Sequence, residues 1–199
     1  MRHLKNYQEY LNEVNRPGKP YHGSKILVFD LDETLVISSA KIKVCNKKTS
    51  ECYSLTPEEF NTYEKGKHEE LDFDEFKSLE IMKAGELIEY YLKIFKEAYK
   101  MKIAVGIVTA RDDRTMIWKW LREHVGYRID YELIFAVNDP IHKYKGNISD
   151  RKKAAFKELI EMGYNDLQFY DDDDANLKLV KSLEDEYEGI NISTIKATK

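Results

Sequence analysis

The sequence predicts a doubly wound α/β domain, in which a parallel sheet of about five strands is flanked by helices and carries a small insertion. Short, continuously apolar runs alternate with segments whose apolar residues recur every three or four positions, a pattern typical of buried strands joined by amphipathic helices. Polar residues follow three of these runs, where parallel sheets place their ligand sites. The 199 residues are 42% hydrophobic and 34% charged, as expected for one globular domain.

The core elements follow one another in a regular order. The first strand, residues 25–30, is rich in β-branched and aromatic side chains, which favour a sheet buried on both faces. Since strands and helices alternate after it, we expect right-handed crossovers and a parallel, Rossmann-like sheet. The other predicted core elements are strands over 102–109, 131–137, 166–170 and 190–197, a helix with Leu87, Ile88, Tyr91, Phe95 and Ala98 on one face, and helices over 112–124, 151–162 and 175–187. A short helix and a loop are expected over 1–24.

Residues 37–84 do not follow this alternation. Two short runs, 41–45 and 51–55, surround a polar turn and predict a hairpin. A helix is predicted to follow, because Thr56 suits the N-cap and Glu59 completes a capping box. The acidic stretch GKHEELDFDEF is interpreted as a loop. We therefore divide the chain into an α/β core (1–36 and 85–199) and a small cap insertion (37–84), placed beside the end of the first strand to cover a substrate.

Composition limits the partners and the compartment. The formal net charge of −4 gives no general attraction to nucleic acid or to an acidic membrane. No apolar run approaches the roughly 18 residues of a membrane span, and the polar opening MRHLKNYQEYLNEV does not suit a signal peptide. We interpret Cys45 and Cys52 as free thiols of a reduced, cytoplasmic protein. No membrane contact and no obligate protein partner are expected.

The stretch ILVFDLDETL carries a buried strand directly into two acids, Asp30 and Asp32. Two residues apart at a turn, both carboxylates can point into one crevice, where they repel each other unless a cation or a proton is shared. Mg²⁺ prefers such oxygen ligands. One acid can then act as a nucleophile while the other handles protons. The alternative is a capped turn with exposed acids.

The strand over 102–109 ends in IVTAR. The Thr109 hydroxyl and the backbone N–H groups that follow, at Ala110 and Arg111, would lie at a helix N-terminus, which favours anions. The Arg111 guanidinium can contact the same anion. A threonine in this position also commonly acts only as a local cap.

Cations and further acids come later in the chain. In ISDRKKAAFKELI we expect Ser149 or Asp150 to cap a helix, with Lys152 and Lys153 in its first turn. Lys152 shares the apolar face that turns toward the sheet, so we favour it as the cation aimed at the site. The run FYDDDDANL can be a flexible, solvated acidic loop, but metal binding by its first pair, Asp171 and Asp172, is the prediction we favour. Asn176 is predicted to assist them, and the roles of Asp173 and Asp174 stay open.

Taken together, DLDET (30–34), VTAR (108–111), the Lys152 region and YDDDD (170–174) resemble the four motifs of the haloacid dehalogenase superfamily of phosphohydrolases. The resemblance implies a phosphatase in which Asp30 attacks phosphorus and forms an aspartyl-phosphate. Asp32 would protonate the leaving oxygen and then activate water, Thr109 would hold phosphoryl oxygens, and Lys152 would neutralise charge. It also implies that Mg²⁺ is held by Asp30, the Asp32 carbonyl and Asp172, with Asp171 in support.

The segment KKAAFKELI…FYDD is similar to the phosphatase half of phage polynucleotide kinase–phosphatases. This similarity implies a nucleotide or a nucleic-acid 3′-phosphate as the substrate, with Trp118 between Arg114 and Arg122 available to stack on a base. Partial burial of Trp118 under the insertion is the alternative. Other candidate functions are a sugar-phosphate phosphatase, a receiver-like phospho-acceptor, and a binding module that keeps only the metal pocket.

Overall fold

The computed structural model describes residues 24–198, with only the backbone described at positions 58 and 61. The helix and loop expected over 1–24 lie outside this range, apart from Ser24. Within it, none of the helices is both long and apolar enough to cross a membrane.

The core is a five-stranded sheet, and the prediction of a doubly wound α/β fold is confirmed. Its strands are β1 (Lys25–Phe29), β7 (Ala104–Thr109), β8 (Ile134–Ala136), β9 (Asp166–Asp171) and β10 (Asn191–Lys196). The strand order is β10-β9-β1-β7-β8, and each neighbouring pair is parallel. The chain builds one half outward from the central β1 and then crosses to the other side of it, so a switch point lies beside β1.

Helices cover both faces of this sheet. In β1, Leu27 and Phe29 pack on one side and Ile26 and Val28 on the other, because successive strand side chains point to opposite faces. The core helices are α3 (Glu89–Lys100), α4 (Arg114–Trp120, continued by a π-helical turn at Leu121–Val125), α5 (Ile148–Glu161) and α6 (Asp174–Lys181), and short 3₁₀ turns lie at Tyr131–Leu133, Pro140–His142 and Ser182–Asp185.

The segment between β1 and α3 contains two smaller sheets, one of two strands and one of three. The predicted hairpin and the helix capped by Thr56 are confirmed, including the reciprocal Glu59 bond of the capping box. The interpretation of GKHEELDFDEF as a loop is wrong, because residues 69–72 within it form a strand that pairs antiparallel with residues 43–46. The elements are β2 (Val36–Ile37), β3 (Ile42–Asn46), β4 (Cys52–Leu55), α1 (Pro57–Asn61), β5 (Glu69–Asp72), a 3₁₀ turn (Asp74–Lys77), α2 (Leu79–Lys83) and β6 (Glu86–Leu87).

The interpretation of Cys45 and Cys52 as free thiols is also wrong, since the two form a disulfide. They lie directly opposite each other on β3 and β4, with their Cα atoms 4.2 Å apart, and this register brings the two side chains within bonding reach. Disulfides are rare in a reducing cytoplasm. The cysteines therefore no longer support the cytoplasmic prediction.

Candidate active site

The predicted site residues lie at the carboxyl edge of the sheet. Asp30 directly follows β1, and its backbone N–H donates to the Tyr170 carbonyl, 2.8 Å away, next to Asp171 at the end of β9. Thr109 ends β7 on the other side of β1. The sequence predicted this edge, because the carboxyl ends of parallel strands lie together.

Three carboxylates and one ammonium group form the centre of the site. Asp30, Asp171 and Asp172 each present an oxygen within 4.8 Å of the others. Lys152 Nζ lies 3.0 Å from Asp30 Oδ2 and 2.7 Å from Asp171 Oδ2, and its side chain is only 2% exposed. One cation therefore faces three acids, and their negative charge is only partly compensated.

Burial and neighbouring charges shift the pKa of Asp30, Asp172 and Lys152. Burial raises the pKa of Asp30 to about 8, and the like charges of Asp171, Asp172 and Asp32 act in the same direction against the opposing effect of Lys152. Burial likewise raises the pKa of Asp172 to about 6, with Asp171 adding to the effect. Burial opposes the charged form of Lys152, but Asp30 and Asp171 outweigh it and raise its pKa. The Lys152 ammonium group therefore stays charged, but it does not supply enough positive charge to keep Asp30 and Asp172 ionised at their usual pKa.

One oxygen of the group has no partner in the described part of the chain. Asp30 Oδ1 is buried without a hydrogen bond. Asp171, by contrast, accepts from the Asp173 N–H (2.8 Å), from Asn176 Nδ2 (3.0 Å) and from Lys152. A buried carboxylate oxygen without a donor is costly unless a cation meets it. The residues present thus fit a hard divalent cation held chiefly by Asp30 and Asp172.

Asp32 is engaged differently from the other acids. Its carboxylate accepts two bonds from Arg111, at 2.9 Å from Nε and 2.7 Å from Nη2. Arg111, 2% exposed at its side chain, also donates to the Phe76 carbonyl of the insertion at 2.6 Å. The guanidinium predicted to bind an anion therefore orients Asp32 and ties the strand end to the insertion.

The other residues of the predicted anion site lie beside this pair. The Thr109 hydroxyl is buried and accepts a long bond, 3.4 Å, from the Arg111 N–H. Ala110 is exposed, and its carbonyl accepts from Asn138 Nδ2 at 2.6 Å. These bonds join Thr109 to the Arg111 backbone and Ala110 to Asn138, and they assign neither residue a part in catalysis.

Helix α5 carries both candidate lysines, and their contacts differ. The expected cap at Ser149 or Asp150 is wrong, because Asn147 caps the helix and Asp150 completes its capping box. The helix thus begins earlier than predicted, and Lys152 lies beyond its first turn. Lys153 points elsewhere, toward Glu186 and toward Ser182 Oγ at 2.8 Å.

The remaining polar residues of the acidic run support the site or lie outside it. Asn176 donates to Asp171 and accepts from Ser149 Oγ at 2.8 Å, so it positions Asp171. Asp173 caps α6, and Asp174 pairs with Lys196 at the surface.

A cleft of about 930 Å³ opens beside Asp32. Ala110 and Arg111 form part of one wall, and the insertion supplies the other. Trp118 is not among the lining residues: Arg122 covers its ring at 4.6 Å and Tyr131 meets it edge-on. The aromatic lining comes instead from Phe60, Phe73 and Phe76. Sequence reasoning missed these residues, because Phe60 lies on α1 and the other two follow β5, and only the folded insertion brings them together.

Comparisons with known proteins add little to the geometry. No protein-family model matches the chain, and no curated protein matches it either. A solved structure described as the Pnkp1/Rnl/Hen1 complex is similar over 93% of this chain, with 17% sequence identity and a TM-score of 0.45. This chain spans about half, 52%, of the matched one.

Proposed function

We propose that this protein is a Mg²⁺-dependent phosphomonoester hydrolase of the haloacid dehalogenase type, acting through an aspartyl-phosphate. The observation that carries the proposal is Asp30 Oδ1, a buried carboxylate oxygen without a hydrogen-bond partner in the described structure. It stands among two further carboxylates and a buried lysine at the carboxyl edge of the sheet. A metal-bound carboxylate of this kind is suited to attack on phosphorus.

Each residue has a distinct part in the proposed reaction. Asp30 attacks the phosphorus, and Asp32, once released from Arg111 and protonated, gives that proton to the leaving oxygen and later takes one from the attacking water. Lys152 holds the Asp30 carboxylate and offsets negative charge, and Thr109 with the following amides binds phosphoryl oxygens. Mg²⁺, held by Asp30, the Asp32 carbonyl and Asp172 with Asp171 in support, would neutralise the carboxylates and the phosphoryl group.

Replacing the nucleophile tests the proposal. Asp30→Asn keeps the size of the side chain but removes its negative charge, so release of phosphate from a generic aryl phosphate should stop in the presence of Mg²⁺. The matched control is Asp174→Asn, another acid of the chain that pairs with Lys196 at the surface, and it should keep its activity. Circular dichroism would verify that both variants are folded.

Two outcomes would contradict the proposal. Unchanged turnover by Asp30→Asn would remove Asp30 as the nucleophile. A stable acyl-phosphate on Asp30 that hydrolyses slowly would favour the receiver-like alternative, in which the carboxylate accepts a phosphoryl group and keeps it.

A further inference from the structure

The cleft beside Asp32 is the space into which the leaving group of the proposed reaction would extend. Its volume of about 930 Å³ suits a small molecule of nucleoside size, since ligand cavities commonly measure about 300–1,000 Å³. One side is formed by the loops that carry Asp32 and Arg111, and the other by the insertion. A molecule bound there lies between Asp32 and the insertion.

The insertion presents aromatic rings to this space. Phe60 and Phe73 meet edge to face with ring centroids 5.6 Å apart, and Phe76 lies 6.3 Å beyond Phe73. Phe73 is 41% exposed. An exposed aromatic side chain inside a concave site offers a face on which a planar group can stack.

The charges of the cleft favour a leaving group without further negative charge. Five carboxylates line the cleft, against two cations, Arg111 and Lys77. Arg111 is already paired with Asp32, and Lys77 lies 2.7 Å from Asp74 and 4.0 Å from Asp112. No lining cation of the described structure is therefore left for a second phosphate, and the acids repel one. The lining carboxylates are Asp32, Glu70, Asp72, Asp74 and Asp112.

We infer that the cleft binds the leaving group of a phosphomonoester, and that this leaving group carries an aromatic ring and no negative charge of its own. The nucleoside of a mononucleotide is such a group. This inference rests on the proposed function for the presence of a reacting phosphate at Asp30. The inference favours a mononucleotide over a 3′-phosphorylated polynucleotide, whose backbone would bring additional charges to the acidic lining. It also favours a mononucleotide over a sugar phosphate, which has no aromatic ring to stack on Phe73.

Two measurements on the whole chain test the inference. Calorimetric titration with adenosine and with ribose compares ligands that differ only in the base, and adenosine should bind at least tenfold more tightly. In the presence of Mg²⁺, kcat/KM for adenosine 3′-monophosphate should exceed that for adenosine 3′,5′-bisphosphate and for an oligonucleotide 3′-phosphate. Asp72→Asn should narrow the difference between the monophosphate and the bisphosphate, since it removes one lining charge.

Variants connect these preferences to the aromatic wall. Phe73→Ala should weaken adenosine binding roughly tenfold and leave ribose binding unchanged, while Phe73→Leu should recover only part of the loss because it restores apolar area without a ring. The matched control is Tyr90→Ala, which removes a 68% exposed ring outside the cleft and should bind adenosine as the unaltered protein does.

Equal binding of adenosine and ribose, normal adenosine binding by Phe73→Ala, or faster turnover of the oligonucleotide would each overturn the inference. Failure of the proposed function would look different. No substrate would then release phosphate, while the binding measurements would still decide what the cleft prefers.

Discussion

Replacement of Lys152 by methionine tests the charge balance of the site most directly. Its Nζ lies 3.0 Å from Asp30 Oδ2 and 2.7 Å from Asp171 Oδ2. Methionine keeps most of the side-chain volume but leaves two buried carboxylates without their cation. Removal of one partner from a buried ion pair costs about 3–5 kcal/mol. At about 2–4 °C per kcal/mol for a chain of this size, the melting temperature should fall by roughly 6–20 °C.

The matched control is Lys153→Met, one position along the same helix. Lys153 pairs with Glu186, whose side chain is 39% exposed, and loss of such a pair costs at most about 1 kcal/mol. Differential scanning calorimetry in the presence of a chelator measures both variants. Addition of Mg²⁺ should narrow the deficit of Lys152→Met, because the ion brings positive charge to the same carboxylates. Equal losses for the two variants would refute this reasoning.

Two further predictions concern the metal and Arg111. Burial raises the folded-state pKa of Asp30 from 3.8 to about 8, so without metal its contribution to stability is lost as pH rises from about 4 to 8. Mg²⁺ at about 100 times its dissociation constant should add about 2.7 kcal/mol to the free energy of unfolding. This corresponds to a rise of roughly 5–10 °C in the melting temperature. In thermal denaturation, the rise in melting temperature caused by Mg²⁺ should be larger at pH 8.5 than at pH 5.5, where a proton competes for Asp30. Equal rises at the two pH values would contradict the proposed metal site. Lysine in the variant Arg111→Lys cannot form both bonds to Asp32, so the free energy of unfolding measured in urea should fall by about 1–3 kcal/mol. A variant as stable as the unaltered protein would show that the paired geometry contributes little.

The core of the fold was predictable because its signal is local. The residues of β1 alternate between the two faces of the sheet and are buried on both, so a continuous apolar run was sufficient to identify the strand. The helices showed their buried faces through three- and four-residue spacing. The prediction began α3 too early, however, because Leu87 lies in β6 and Ile88 is the N-cap of the helix. Acids directly after such strands could then be placed at one edge of a parallel sheet before any contact was known.

The insertion was predictable only in part, because its pairing depends on distant residues. The capping box at Thr56 lies within four residues and was found. Strand β5 has a strongly acidic sequence, and its pairing with β3 brings together residues about 26 positions apart, which no local pattern reports. The same pairing helps to place Phe73 and Phe76, which follow β5, at the cleft. The disulfide was missed for a related reason, since it depends on the register of the hairpin.

The sequence alone determined that buried strands alternate with amphipathic helices and that acids, a hydroxyl and lysines follow their ends, because these signals come from neighbouring residues. The spacing also favoured Lys152 over Lys153, and the structure brings Lys152 to Asp30. Only the tertiary structure decided that Arg111 bonds to Asp32 and that Asn176 holds Asp171. Each of these depends on the direction of a side chain across a gap between separate elements. That direction is set by packing and by the desolvation of charge in the folded protein, which spacing along the chain does not encode.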